Sequence, residues 1–255
     1  MLKYVLLKKR HLTLASASLL ISVALIILSA TLMSASKSRL LPIYSVDRND
    51  NLVSLTFDAA WSAEDTDDII RLLKSYDVKA TFFCVGTWVE ANPDAVKKLH
   101  DAGHEIMNHS DKHPHITGIS ETKFIEDTLS CNERIKAITG IEPTLYRGPY
   151  GEYDNKTIAA VEKLGMQYIQ WSADTVDWKP ENDSKKQIEN VMKRLESGGI
   201  ILMHNGTEHT VETLAGLLEN IKNRGYKIVP VTELIYKDGY TIDQSGKQYK
   251  NKNGE

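Results

Sequence analysis

His109 and His113 stand four residues apart in the stretch Asn108-His109-Ser110-Asp111-Lys112-His113-Pro114, and two imidazoles at that spacing can turn toward a single metal ion. The pair alone is a weak signal, because histidines recur at this spacing on many solvated loops, so the companions decide its meaning. Asp58 closes an apolar run, Arg147 to Gly151 read Arg-Gly-Pro-Tyr-Gly after another, Asp177-Trp178 follow a third, and Leu202-Met203-His204 end a fourth. Each also has a plainer reading. Asp58 could cap the turn after its strand, Arg147 and Asp177 could form a structural ion pair, Gly148-Pro149 could be an ordinary turn, and His204 a hydrogen-bonded core histidine. Those plainer readings have to coincide at every one of these positions. His100, His104, His115 and His209 keep structural or surface roles, His104 because it begins a strand.

Short apolar runs alternate with amphipathic stretches from Asn51 onward. The runs at 52–57, 80–85, 104–108, 144–146, 167–171, 200–203 and 227–229 predict seven strands, and helical periodicity falls at 66–76, 93–102, 120–139, 155–164, 185–195 and 211–224. Gly103, Gly140, Gly165 and Gly225 sit where C-terminal caps belong. Strand and helix in strict alternation imply parallel strands joined by right-handed crossovers. Every polar cluster follows the C-terminal end of a strand, and a barrel gathers those ends round one mouth where an open sheet would spread them along a line. The fold class is therefore α/β, an incomplete seven-stranded (β/α) barrel.

A chain of 255 residues, 42% hydrophobic and 25% charged, has material for one domain with a full core. The first forty residues differ in kind. Lys3, Lys8, Lys9 and Arg10 precede an uncharged run from Leu12 to Met33, long enough to cross a bilayer and longer than the apolar part of a cleaved signal. The basic flank predicts a short cytoplasmic N-terminus at 1–11, a transmembrane signal-anchor at 12–34, a linker at 35–50, and a domain at 51–236 outside the membrane, with a flexible polar tail at 237–255. Cleavage near Ser34-Ala35-Ser36, giving a secreted domain, is the alternative. Six of the 31 basic residues and none of the 34 acidic ones lie in residues 1–40, so the remainder carries 25 against 34, a net charge of -9. Such a surface does not seek nucleic acid or anionic lipid, and no protein partner is inferred from it. Cys84 and Cys131 both fall on apolar faces; two cysteines make no disulfide framework, although the pair could bond outside the cell.

These motifs, in this order and at strand ends, resemble the NodB-like polysaccharide deacetylases of carbohydrate esterase family four, over a stretch from about Asn51 to Ile235. The Thr-Phe-Asp-Asp pattern of that family appears as Thr56-Phe57-Asp58-Ala59, the paired histidines as His109 and His113, and the Arg-x-Pro-Tyr-Gly loop as Arg147 to Gly151. Asp174 to Trp178 match Asp-x-x-Asp-Trp, and Leu202 to His204 match Leu-x-His. The resemblance implies a hydrolase that removes N-acetyl groups from a cell-wall aminosugar polymer, peptidoglycan above all; the alternative is a deacetylase of chitin oligomers or of O-acetylated xylan. The phrase Thr56-Phe57-Asp58-Ala59-Ala60-Trp61 resembles the sporulation-associated branch.

By the same resemblance, His109 and His113 hold a divalent metal, zinc in the first place, and Asp58 is the base that takes a proton from a metal-held water. His204 is the acid for the departing amine, kept protonated by Asp177, and Arg147 orients Asp58. The backbone N–H of Tyr150 joins the oxyanion pocket, while Trp178 and Leu202 wall the acetyl group. The departure is Ala59, which stands where the family has a metal-ligating aspartate. One anionic ligand fewer predicts a weakly bound metal, with Asp58 or Asp111 as the nearest substitutes. It also opens a second reading, a wall-binding pseudoenzyme that kept the cleft.

Overall fold

The computed structural model describes residues 39–251, so the predicted segments at 1–11 and 12–34 lie outside the described residues. Among the described residues no helix is long and apolar enough to cross a membrane. The strands are β1 (Ser45–Val46), β2 (Leu52–Ala59), β3 (Thr81–Cys84), β4 (Glu105–Asn108), β5 (Leu145–Tyr146), β6 (Gln167–Tyr168), β7 (Ala173–Asp174), β8 (Ile200–His204), β9 (Lys227–Ile228), β10 (Tyr240–Ile242) and β11 (Lys247–Lys250). The main sheet runs β6-β5-β4-β3-β2-β8-β7, with β9 beside the first residues of β2, and its pairings are parallel. The helices are α1 (Thr66–Ser75), α2 (Gly86–Ala91), α3 (Pro93–Asp101), α4 (Glu121–Thr139), α5 (Asn155–Lys163), α6 (Ser184–Met192), α7 (Thr210–Asn223) and α8 (Val231–Leu234).

The central strand β2 is buried along nearly its whole length, as a parallel strand covered on both faces must be. Its residues alternate between two layers. Val53, Leu55, Phe57 and Ala59 join the core under the helices with Ile69, Leu73, Leu214 and Leu217, and Phe57 stacks on Phe82 at 4.6 Å. Residues of the opposite parity face the barrel interior, where Phe83, Met107, Leu145, Ile169 and Ile200 form a second core.

The predicted strand at 167–171 is corrected in an instructive way. Only Gln167–Tyr168 of it forms a strand, β6, which pairs with β5, and an unpredicted strand, β7 at Ala173–Asp174, follows it and pairs with β8 at the far edge of the sheet. Four residues join the two edges, and a chain that short spans less than about 18 Å, so the sheet has to curl almost shut. The gap that remains is bridged by residues assigned to the linker: Ile43 pairs with Ile169, and Ser45 with Gly199 at the start of β8. Ile43 and Val46 are buried, so the domain begins near Leu40 and not at 51.

The flexible tail is also corrected. β10 and β11 form a hairpin, and β11 pairs in parallel with β1, giving a small second sheet. The fully buried Gln248 fixes it, accepting from the Tyr236 N–H at 2.8 Å and donating to the Tyr236 carbonyl at 2.7 Å. Cys84 and Cys131 are free thiols, and Cys131 donates to the Cys84 carbonyl at 3.4 Å.

Candidate active site

The loops beyond the strand ends bring the predicted residues together at one mouth. Asp58 on β2 and His204 on β8 are register partners across neighbouring strands. Asp58 is 4% exposed and accepts from Arg147 Nη1 at 2.7 Å, while its other oxygen lies 3.5 Å from His109 Nε2. Burial pushes this carboxyl up, but the positive charge of Arg147, His109 and His204 outweighs it and holds the group below the ordinary carboxylate value.

Arg147 is fully buried, and its Nε has no hydrogen-bond partner among the described residues, so its two terminal nitrogens carry the compensation for burial. Nη1 also donates to Thr56 Oγ1 at 2.8 Å, Nη2 donates to the Gln170 carbonyl at 3.2 Å, and the Phe83 ring lies 4.1 Å from Cζ. Fixed on three sides, it can hold Asp58 ionised and in one orientation.

His204 donates from Nδ1 to Asp177 Oδ1 at 2.7 Å, and its backbone N–H donates to Oδ2 at 2.7 Å. Burial disfavours the imidazolium, yet the Asp177 hydrogen bond and the charges of Asp177, Asp58 and Asp174 raise its pKa above the ordinary value. With Nδ1 committed, Nε2 is the nitrogen left to give a proton to a leaving group. Trp61, a residue to which no role is assigned on sequence grounds, stacks on this ring at 4.8 Å. Its loop is tied to the His204 loop twice more: Asn205 Nδ2 donates to the Ser62 carbonyl at 2.5 Å and the Gly206 N–H to Asp65 at 2.6 Å. Gly206 has φ +71, and a Cβ there would lie 2.6 Å from Ser62 N, so only glycine lets the two loops close.

The metal side is less complete. His109 Nδ1 donates to the Arg147 carbonyl at 2.8 Å, which fixes the tautomer and turns Nε2 toward Asp58, the outer-shell arrangement usual for a metal-binding histidine. The His113 ring stands edge-on at 5.1 Å. Burial lowers the pKa of both, His113 to about 4, so both are neutral imidazoles ready to bind a cation. Ala59 belongs to the helix-side core, fully buried, and brings no donor. Asp111 is not a substitute, since its carboxylate is occupied by Arg134 Nε at 2.7 Å. Among the described residues no group of three ligating side chains forms a metal site. The donors fit a loosely held dication, with Asp58 the nearest further oxygen, and not a tightly held one.

Tyr150 has φ 58, and its ring packs between His113 at 4.6 Å and His115 at 4.3 Å. His115 is therefore part of the wall and not a plain surface residue, with Nδ1 donating to Glu152 at 2.7 Å. Ser110, His113 and Val176 also have positive φ. For the β-branched Val176 this is a strained conformation, held by a 2.7 Å bond from its N–H to Asp174 Oδ1, and it aims Asp177 at His204. Leu202 is buried on β8 and Trp178 is 53% exposed beside Asp177. His104 keeps its structural role, accepting from the Ala80 N–H at 3.2 Å.

Residues 45–169 match the family model described as polysaccharide deacetylase. The chain is 36% identical over 205 residues to the peptidoglycan-N-acetylglucosamine deacetylase PgdA of Listeria monocytogenes, covering 80% of this chain and 42% of that protein's own length. It is 33% identical over 198 residues to the peptidoglycan-N-acetylglucosamine deacetylase of Bacillus cereus, covering 75% of this chain and 92% of that one. Among solved structures, the Bacillus anthracis protein BA3943, described as a pseudoenzyme of the CE4 family, superposes with a TM-score of 0.73 at 34% identity, covering 77% of this chain and 69% of that one. A mutant of BA3943 is described as having restored enzymatic activity.

Proposed function

The chain belongs to the polysaccharide deacetylase family, and on that premise we propose that it hydrolyses N-acetyl groups on a cell-wall aminosugar polymer, peptidoglycan first among them. The observation that carries the proposal is the pairing across β2 and β8 of a depressed carboxylate, Asp58, with an imidazole of raised pKa, His204. A base that is ionised and an acid that is protonated at the same pH are what amide hydrolysis requires. Asp58, oriented by Arg147, takes a proton from the attacking water. His204, oriented by Asp177, delivers one from Nε2 to the departing sugar nitrogen. The Tyr150 N–H, set by its positive φ, is a donor for the tetrahedral oxygen, and Trp178 and Leu202 border the acetyl methyl. A dication bound at His109 and His113, zinc by ligand preference, would acidify water and stabilise the oxyanion.

Ala59 favours a second reading, a glycan-binding protein with impaired catalysis, and the likeness to the BA3943 pseudoenzyme supports it. Acetate release from peptidoglycan and from acetylglucosamine oligomers, measured with and without added zinc, separates the two. Release above background, increased by zinc, supports the hydrolase; none in any condition, with glycan binding retained, leaves only the second reading. A single-pass membrane protein with an extracytoplasmic domain, acting during spore formation, completes the proposal, and recovery of the domain in the medium beginning near Ser36 would replace the anchor with a cleaved signal.

A further inference from the structure

We infer that a cavity beside the catalytic mouth is a subsite for a carboxylate-bearing sugar unit, with Arg194 as the group that recognises the acid. This rests on the deacetylase proposal and names the glycan class that proposal left open. The cavity, about 630 Å³, lies where β6 and β7 leave the barrel unclosed, and a volume of that order admits a monosaccharide. Tyr44 from the bridging N-terminal segment, Tyr150, Trp171, Asp174, Lys193 and Arg194 line it. Aromatic faces of this kind suit the apolar face of a pyranose ring.

The cavity shares a wall with the mouth. Tyr150 packs on His113 at 4.6 Å and also lines the cavity, and the Trp171 ring lies 5.6 Å from Arg147 Cζ. A polymer with one N-acetyl group between Asp58 and His204 would therefore pass a neighbouring unit across Tyr150 into the cavity.

Of the charges facing it, two are already engaged. Asp174 accepts from the Val176 N–H at 2.7 Å and from Trp171 Nε1 at 3.1 Å, and Lys193 lies 3.6 Å from Glu189. Arg194 holds its place at the end of α6 through its backbone N–H on the Val191 carbonyl at 2.9 Å, while among the described residues its guanidinium has no hydrogen bond or ion pair. Residues 41–255 carry 25 basic and 34 acidic side chains, a net charge of -9, so an unpaired guanidinium lining a cavity runs against the prevailing charge. A planar fork of donors is the natural partner of a carboxylate, and a neutral glycan such as a chitin oligomer has no use for it.

The test compares binding of the full chain to peptide-free glycan strands that retain their carboxylates and to the same strands with those carboxylates converted to methylamides. The wild type should prefer the acidic strands by about tenfold at low salt, the scale of one charge-assisted contact. Arg194→Glu should abolish the preference without changing affinity for the amidated strands, and Arg194→Lys should restore part of it. Equal affinity of the wild type for both strands, or a preference that survives Arg194→Glu, overturns the inference while leaving the deacetylase proposal standing. Failure of both strands to bind overturns the two together.

Discussion

On the β2–β8 side of the mouth Asp58 and His204 are each held by a buried charged partner, whereas on the β4 side His109 is held by the Arg147 carbonyl and His113 by ring contacts. The first arrangement is complete in itself. Arg147 is tied to Thr56 and Gln170, and Asp177 uses both oxygens on His204, so neither depends on a cation. The second needs one, because two neutral rings oriented by a carbonyl and by stacking provide ligands but no compensating charge. The difference makes the proposed acid–base pair and the proposed metal site separable. A carboxylate can be lost from the one without unsettling the other, since Ala59 and Asp58 point to opposite faces of the same strand.

The largest expected effect is on the complete side. His204→Ala should lower acetate release by roughly 10²–10⁴-fold, the range for loss of a general acid, with little change in melting temperature because the Asp177 carboxylate keeps the backbone N–H of residue 204. A melting temperature that falls as for a core truncation would return His204 to the structural reading. Arg147→Met should instead destabilise the fold by about 3–5 kcal/mol, since it leaves Asp58 charged, buried and without its main partner. Denaturant titration of this variant beside His113→Ala, whose loss should be far smaller, measures the contrast between the two sides. Equal costs would erase it.

The metal side should respond to one substitution. Ala59→Asp is expected to tighten zinc by at least about tenfold, the lower end of what even an outer-shell change does. Without zinc it should destabilise the protein, because a carboxylate then stands among the apolar residues that surround Ala59. If the native protein already binds zinc tightly, and the substitution changes neither affinity nor acetate release, Asp58 completes the coordination and the two sides are one site.

How far the sequence disclosed this depends on the kind of signal. Strand β2 was legible because Val53, Leu55 and Phe57 alternate with Ser54 and Thr56, the period of a strand, and the paired motifs because each follows a strand-like segment. The end of β6 at Tyr168 and the separate β7 were not, since hydrophobic pattern records burial and not which neighbour a strand bonds. The C-terminal hairpin was hidden by Gln248, a polar residue buried only because Tyr236 satisfies both ends of its amide. Trp61 and Arg194 escaped for a related reason: a stacking partner far along the chain, or a cavity wall, leaves no local spacing to read.

The smallest expected effect separates the two sides by pH. In metal-free protein, His113 titrates near 4 when folded and near 6.5 when unfolded, so the unfolded chain binds more protons between these values and stability falls as pH drops through that window. His109 and the structural His104, the latter also at about 4, add to the same acid limb. His204 has the opposite sign. Its folded pKa lies above the unfolded value, so its contribution is fully present below about 6.5 and is lost as pH rises through the folded value. Stability should therefore peak near pH 6.5. His113→Gln should flatten the acid limb by about 1 kcal/mol once solvent screening is allowed for, and Asp177→Asn should flatten the alkaline one. Urea unfolding from pH 4.5 to 8.5 in the presence of a chelator measures both limbs. If His113→Gln leaves the acid limb unchanged while zinc abolishes it in the wild type, the proton and the metal compete at His109 instead, and that ring alone is the first point of metal attachment.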